Sequence, residues 1–317
     1  MATATTKKQT TKKARKAKKK ADEILVAEVL EDIAATGEVP WAKPWNADTS
    51  FPVSLGTRKD YKGYNVIHLA FAAQRYGYGS GLWGTWRQIK KMGGTIEDWD
   101  RAEKERRSIS YWNWFDTKDK ATGKDKKIPF LKLSTVYNID LVTWPEDLKA
   151  ELYPAKKEAL DFNPIEAVEA IVNVYLGEGS YRPPYVRHGG SQAYFRPSDN
   201  AIQLPNKEDF KSAEAYYGTK FHEMVHSTGI PAKLDRPSLS KLAGFGSHDY
   251  SREELVAEIG SAMLASKAGF GEALIEQSAA YVNGWKKKLD DDPKALVFAG
   301  GQAVKAVALI ERGGHKA

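Results

Sequence analysis

The chain has 317 residues, of which 28% are charged and 42% apolar, with no cysteine and a formal net charge of +7. That length allows two domains, each burying a core of its own. The absence of cysteine excludes disulfides and thiolate ligands, confines any metal site to nitrogen and oxygen donors, and suits a cytoplasmic protein. No apolar run reaches the roughly 18 residues of a membrane-spanning helix, and no signal peptide is expected.

The charge is unevenly placed. Lys7, Lys8, Lys12, Lys13, Arg15, Lys16, Lys18, Lys19 and Lys20 are nine cations with no acid among them, so the rest of the chain carries −2, which is +7 less 9. A basic, Ala/Thr-rich arm over residues 1–21 cannot build a core, and disorder is expected there. It reads as a non-specific nucleic-acid arm or as a solubilising tail.

From Ala21, the spacing of Ile24, Leu25, Val29, Leu30 and Ile33 predicts an amphipathic helix ending at Gly37. Eight of the nine tryptophans then fall between Trp41 and Trp144, marking one unit. Tyr61-Lys62-Gly63-Tyr64-Asn65 reads as a turn into a helix over 66–75. Residues 108–115 and 128–138 read as strands joined by a polar loop holding five lysines and three aspartates from Asp116 to Lys127. Aromatics interleaved with cations suit single-stranded nucleic acid, because bases stack on rings while ammonium and guanidinium groups follow phosphates. Lys62, Tyr64, Asn65, Trp86, Arg87 and Lys90 are the candidates. The competing reading of Trp83, Trp86, Trp99, Trp112 and Trp114 is ordinary core.

Residues 146–162 read as a link. Asn163-Pro164 caps a helix to Leu176, and residues 193–205 read as two short strands about a Ser-Asp-Asn turn, with an edge on which an extended peptide could add as a strand. Next comes His222-Glu-Met-Val-His226 on a helix stopped by Gly229 and Pro231. Histidines four apart share a face and can reach one ion, while Glu223 beside them is placed to take a proton from an activated water. Tyr217, Phe221 and Val225 form an offset apolar stripe. A third ligand is expected on the helix over 250–264, from Glu254, with Glu258 as the carboxylate that orients a ligand histidine. Glu253 and His248 are other ligand candidates, and Ser251-x-x-Glu254 could instead be a capping box. Two further helices are expected, over 272–289 and 293–312.

With these residues laid out, the chain resembles the ArdC-type antirestriction proteins of plasmids and phages over nearly everything after the arm. Pro40-Trp41, Pro44-Trp45, the segment 61–66, Trp83-Gly-Thr-Trp-Arg-Gln-Ile89 and Gly93-Gly94 look like that family's single-stranded-DNA-binding domain. Ile202-Gln-Leu-Pro205, Tyr216-Tyr217, residues 221–229, Leu234-Asp-Arg236, residues 253–260 and Ser278-Ala-Ala-Tyr281 look like its zincin-like metallopeptidase domain. The resemblance implies a mobile-element protein that binds single-stranded DNA and protects incoming DNA from restriction. The expected fold is α+β in two domains, a mixed DNA-binding domain over 22–145 and a mainly helical zincin-like domain over 163–317. The expected chemistry is a zinc-dependent hydrolysis of a protein substrate, such as a host restriction or regulatory protein. Zinc would be held by His222, His226 and Glu254, with Glu223 catalytic. The rival is a non-enzymatic DNA shield with a structural or silent zinc; a nuclease is disfavoured because no second metal cluster is visible.

Overall fold

The computed structural model describes residues 23–42, 51–118, 125–153, 164–240, 248–269, 279–292 and 294–316, and leaves aside the side chains of 42, 112–118, 125–130, 164, 240, 248–250 and 279–281. The basic arm, Trp45, the middle of the polar loop, most of the expected link and residues 270–278 therefore lie outside the described residues, as do the side chains of Trp112 and Trp114.

Helix α1 covers residues 23–36 and runs into a short 3-10 turn, Pro40–Ala42. Two short strands, β1 (Val53–Ser54) and β2 (Leu82–Gly84), flank helix α2 (Tyr64–Tyr76). Helices α3 (Trp86–Lys91) and α4 (Trp99–Glu105) lead to the long hairpin of β3 (Arg107–Lys118) and β4 (Asp125–Asn138). The sheet order is β1-β2-β4-β3, with β1 and β2 parallel and the other pairs antiparallel. The hairpin pairs in register from Arg107 opposite Val136 to Lys118 opposite Asp125, longer than the sequence suggested. The ladder continues into the charged segment on both strands.

The segment expected as a link begins with helix α5 (Glu146–Leu152). Leu148 and Leu152 pack with Ile89, Ile139 and Trp144 in a small cluster of the first half. After α6 (Pro164–Leu176), a second sheet has the order β5-β7-β6, from β5 (Tyr185–His188), β6 (Tyr194–Arg196) and β7 (Ala201–Leu204). β6 and β7 pack on helix α7 (Ala213–Ser227). The short α8 (Pro237–Ser240), then α9 (His248–Lys267), α10 (Ala279–Asp291) and α11 (Lys294–Ile310) complete the chain. Among the described residues no single helix is long and apolar enough to cross a membrane.

The main core crosses between the halves. Leu25, Val29 and Ile33 of α1, Trp41, and Ile67 and Phe71 of α2 share one buried cluster with Phe221, Leu255, Ile259, Trp285, Leu296 and Ile310. Trp41 is completely buried, meets Trp285 edge-on at 5.9 Å, and donates Nε1–H to Glu258 Oε2 at 2.8 Å. Trp83 is buried, as the core reading expects, and so is Trp144, whereas Trp99 is 40% exposed and packs edge-on against Trp86. Gly260 of α9 lies close against α7, where a Cβ would stand 2.8 Å from Val225 Cγ2. That contact decides which side of α9 faces the histidines.

Candidate metal centre

Helix α7 starts under a Ser212 cap, whose hydroxyl accepts from Ala215 N at 3.2 Å. Tyr217, Phe221, Met224 and Val225 are buried in the main core, which fixes the rotation of the helix and turns His222 and His226 toward α9. The two Nε2 atoms lie 3.1 Å apart. Glu254 places Oε2 3.5 Å from His222 Nε2 and Oε1 3.5 Å from His226 Nε2. Donors about 2.0–2.1 Å from one tetrahedral ion stand roughly 3.3–3.4 Å from each other. The two nitrogens are near that separation and each has a different oxygen of Glu254 3.5 Å away, so the three side chains converge on one place where an ion could be held.

The ring of His226 is set by its other nitrogen. Nδ1 meets Glu253 Oε1 at 3.2 Å. A carboxylate only accepts, so Nδ1 carries the hydrogen and Nε2 keeps its lone pair for an ion. Glu253 is in turn clamped by Arg236, with Nε to Oε2 at 3.0 Å and Nη2 to Oε1 at 2.5 Å, while Ser238 Oγ donates to Oε2 at 2.6 Å. The same guanidinium donates to Val225 O at 2.9 Å, His226 O at 3.3 Å and Thr228 Oγ1 at 2.6 Å, closing the C-terminal end of α7. Burial would raise the Glu253 pKa, but Arg236 and the His226 hydrogen bond hold it well below the usual carboxylate range. Burial would lower the His226 pKa, and the hydrogen bond to Glu253 together with the charges of Glu223, Glu253 and Glu254 raise it instead.

Glu223 is buried, and its Oε2 has no hydrogen-bond partner among the described residues. A buried, unsatisfied carboxylate oxygen costs about 1–3 kcal/mol, and a fold tolerates it where the atom has work to do on a bound group. Charge points the same way. Glu223, Glu253 and Glu254 set against Arg236 leave two negative charges, which a divalent ion would balance. Among the described residues, His222, His226 and Glu254 are the one group of three side chains placed to hold a metal.

The structure thus groups His222, Glu223, His226 and Glu254 as expected. Helix α9 begins at His248, which puts Ser251 inside the helix and removes the capping-box alternative for Glu254. Glu258, expected to orient a histidine, accepts from Trp41, and the carboxylate found on His226 Nδ1 is that of Glu253, expected only as another ligand. The side chain of His248 lies outside the described residues. Two participants were missed as to role, Glu253 and Arg236. Ala257 and Gly260, four and seven residues beyond Glu253, were the available signal, because small residues at that spacing mark the face where two helices meet closely.

At the C-terminal end of α7, Lys233 Nζ donates to Tyr175 Oη at 2.5 Å, Tyr175 meets Ser227 Oγ at 2.8 Å, and Ser227 donates to Met224 O at 2.7 Å. Burial pushes the Lys233 pKa down to about 7.

The six nucleic-acid candidates divide. Lys62, Tyr64 and Asn65 line a groove of about 1240 Å³, together with Ser110 and Tyr111 of β3 and Lys294 and Lys305 of α11. Trp86, Arg87 and Lys90 are not in its lining; Arg87 and Lys90 are exposed elsewhere on α3. Asn65 has a structural task as well. Its Nδ2 donates to Ser110 O at 2.7 Å and its Oδ1 accepts from Ser110 N at 3.1 Å, holding the open edge of β3 to α2.

Comparison with known proteins agrees with both halves. Residues 18–137 match the family described as the N-terminal domain of anti-restriction factor ArdC, and residues 183–302 match the zincin-like metallopeptidase family. The crystal structure of the antirestriction ArdC protein from the R388 plasmid, in metal-free form, superimposes with a TM-score of 0.66 and 30% identity, covering 92% of this chain and 96% of that one. Its Mn(II)-bound form gives 0.65 and 28%, over 92% and 97%. A DNA primase TraC of Escherichia coli is 32% identical over 301 residues, 88% of this chain but 26% of the primase. An uncharacterized protein of Sinorhizobium fredii, y4eC, is 30% identical over 295 residues, 89% of this chain and 88% of its own length. The present chain spans about a quarter of that primase.

Proposed function

This chain belongs to the ArdC family of antirestriction proteins, and from that membership we propose that it shields incoming mobile-element DNA in the cytoplasm, binding it as a single strand with its N-terminal half and hydrolysing peptide bonds with its C-terminal half. The observation that carries the hydrolytic reading is the buried, unpartnered Oε2 of Glu223 beside the His222, His226 and Glu254 donors. The Mn(II)-bound state of the related plasmid protein supports a divalent ion in such a centre; a donor set of two histidines and one glutamate favours zinc. The kinship with a segment of a DNA primase supports a place beside DNA.

When bound, the ion would supply Lewis acidity, polarising a peptide carbonyl and making water easier to deprotonate. Glu223 Oε2 takes that proton and returns it to the leaving nitrogen. His226, fixed through Nδ1 by Glu253, keeps its lone pair directed at the ion, and Glu254 supplies charge. Strand β6 is an edge of the sheet on α7, and its free backbone groups suit an extended segment of a substrate protein, such as a host restriction or regulatory protein.

The test is zinc content and cleavage of an unfolded protein by wild type and variants. One zinc per chain is expected, lost in His222→Ala and His226→Ala and kept in Glu223→Gln, whose cleavage rate falls by about 10²–10⁴. Stoichiometric zinc without cleavage in the wild type would establish the alternative, a non-enzymatic shield with a structural ion.

A further inference from the structure

We propose that the groove between the halves holds a single nucleic-acid strand against two cationic walls, the second of which is α11 of the metallopeptidase-like half. This rests on the single-strand reading above and assigns the ligand's path, which that reading had confined to the N-terminal half.

One wall is the turn before α2, with Lys59 and Lys62; the other is α11, with Lys294 and Lys305. Positions 294, 298, 301 and 305 follow helical spacing, so the two lysines close the ends of one stripe about 16 Å long, with Phe298 and Gly301 between them. Tyr111 of β3, 37% exposed, presents its ring in the lining, with Lys132 Nζ 5.9 Å from its centroid. Among the described residues no carboxylate pairs with Lys59, Lys62, Lys294 or Lys305, and Asp60 is the one acid in the lining. Four ammonium groups against one carboxylate, with aromatic faces between them, complement a chain of phosphates carrying flat bases.

The two walls are held in fixed relation. At Gly300 a Cβ would stand 2.8 Å from Tyr64 Cδ2, so α11 lies directly on the ring of a residue in the opposite wall. A ligand in the groove touches both halves without either having to move.

The experiment measures binding of a fluorescent oligothymidylate to the full chain at several salt concentrations. The variants are Lys294→Gln/Lys305→Gln and Lys59→Gln/Lys62→Gln, with melting and metal content as controls for folding. Losing two phosphate contacts should weaken binding about ten-fold near physiological salt and flatten the slope of log K against log salt by about 1.4, in each double variant. If the Lys59/Lys62 variant weakens and the α11 variant does not, the second wall is wrong while the single-strand reading of the first half stands. Weakening in the α11 variant alone would also overturn the shared groove. If neither changes, the strand does not lie here and the single-strand reading loses this site. Competition by polyglutamate as effective as by unlabelled oligothymidylate would make the groove a site for acidic peptides and overturn the proposal.

Discussion

Arg236 and Glu253 form a clamp whose removal should show a large, non-additive effect. They are 1% and 3% exposed, so neither charge has water to fall back on. Arg236→Met leaves a buried carboxylate with only Ser238 and His226 to satisfy it and removes one of the donors to Val225 O and to His226 O at the end of α7. Breaking one member of a buried pair costs about 3–5 kcal/mol, whereas replacing both members by apolar side chains is often close to neutral. Arg236→Met and Glu253→Met should each lose about 3–5 kcal/mol, and the double variant about 1–2, the residue reflecting the helix-end carbonyls. Urea unfolding of the metal-free proteins measures all three. The pH dependence has a definite sign. The folded pKa of Glu253 is depressed, so its contribution is complete above the unfolded carboxylate range and is lost as pH falls below it. In Arg236→Met the buried carboxylate becomes a penalty that protonation relieves, so the gap to wild type should narrow on acidification. Costs that simply add in the double variant would refute the clamp.

Zinc affinity should fall about 10–100-fold in Glu253→Ala, because His226 loses the acceptor that fixes its tautomer; equilibrium competition with a chelator reads this, and unchanged affinity counts against the assignment. Trp41→Phe should cost about 1.5–3 kcal/mol through the lost bond to Glu258, seen as a lower melting temperature of the whole chain. Because burial lowers the Lys233 pKa to about 7, the unfolded chain binds more protons between that pH and the ordinary lysine range, and stability should rise with pH there by at most about 1.4 kcal/mol per unit. Lys233→Met should remove that slope in denaturant titrations at successive pH values. Deleting residues 1–20, with their nine cations, should lower DNA affinity and flatten its salt dependence while the preference for single strands over duplex survives. Complete loss of binding would assign it to the arm.

The legible parts of the centre were those that depend on one helix. His222, Glu223 and His226 lie within five residues, and their relative placement follows from helix geometry once Tyr217, Phe221 and Val225 define the buried side. Glu254 stood out on the sequence as a candidate ligand but was not separable from a cap, because the two readings differ only in where the helix starts, and local spacing leaves that open. The choice between Glu253 and Glu258 needed the docking of two helices. Adjacent residues differ by about 100° around a helix, and only the close approach at Gly260 shows which direction points at α7. The strands of the hairpin read well from their alternation. β1, β2 and β5 are two to four residues long and formed by pairing with distant partners, so they left no local periodicity to find. The groove was half visible: Lys62, Tyr64 and Asn65 stood out beside aromatics, but Lys294 and Lys305 lie more than 200 positions away on a helix that reads as plain core.

Leu25, Trp41 and Phe71 are buried against Leu255, Trp285 and Leu296, so helices α1 and α2 and helices α9 to α11 wet or dry together. A gene fragment encoding either half would expose an apolar face cut from the middle of that cluster, and recombination that exchanged one half for a foreign one would have to match the other's surface side chain for side chain. The kin of this protein are consistent with that: similarity runs through 295 residues in a protein of comparable length and through 301 residues inside a much longer primase, spanning both halves each time.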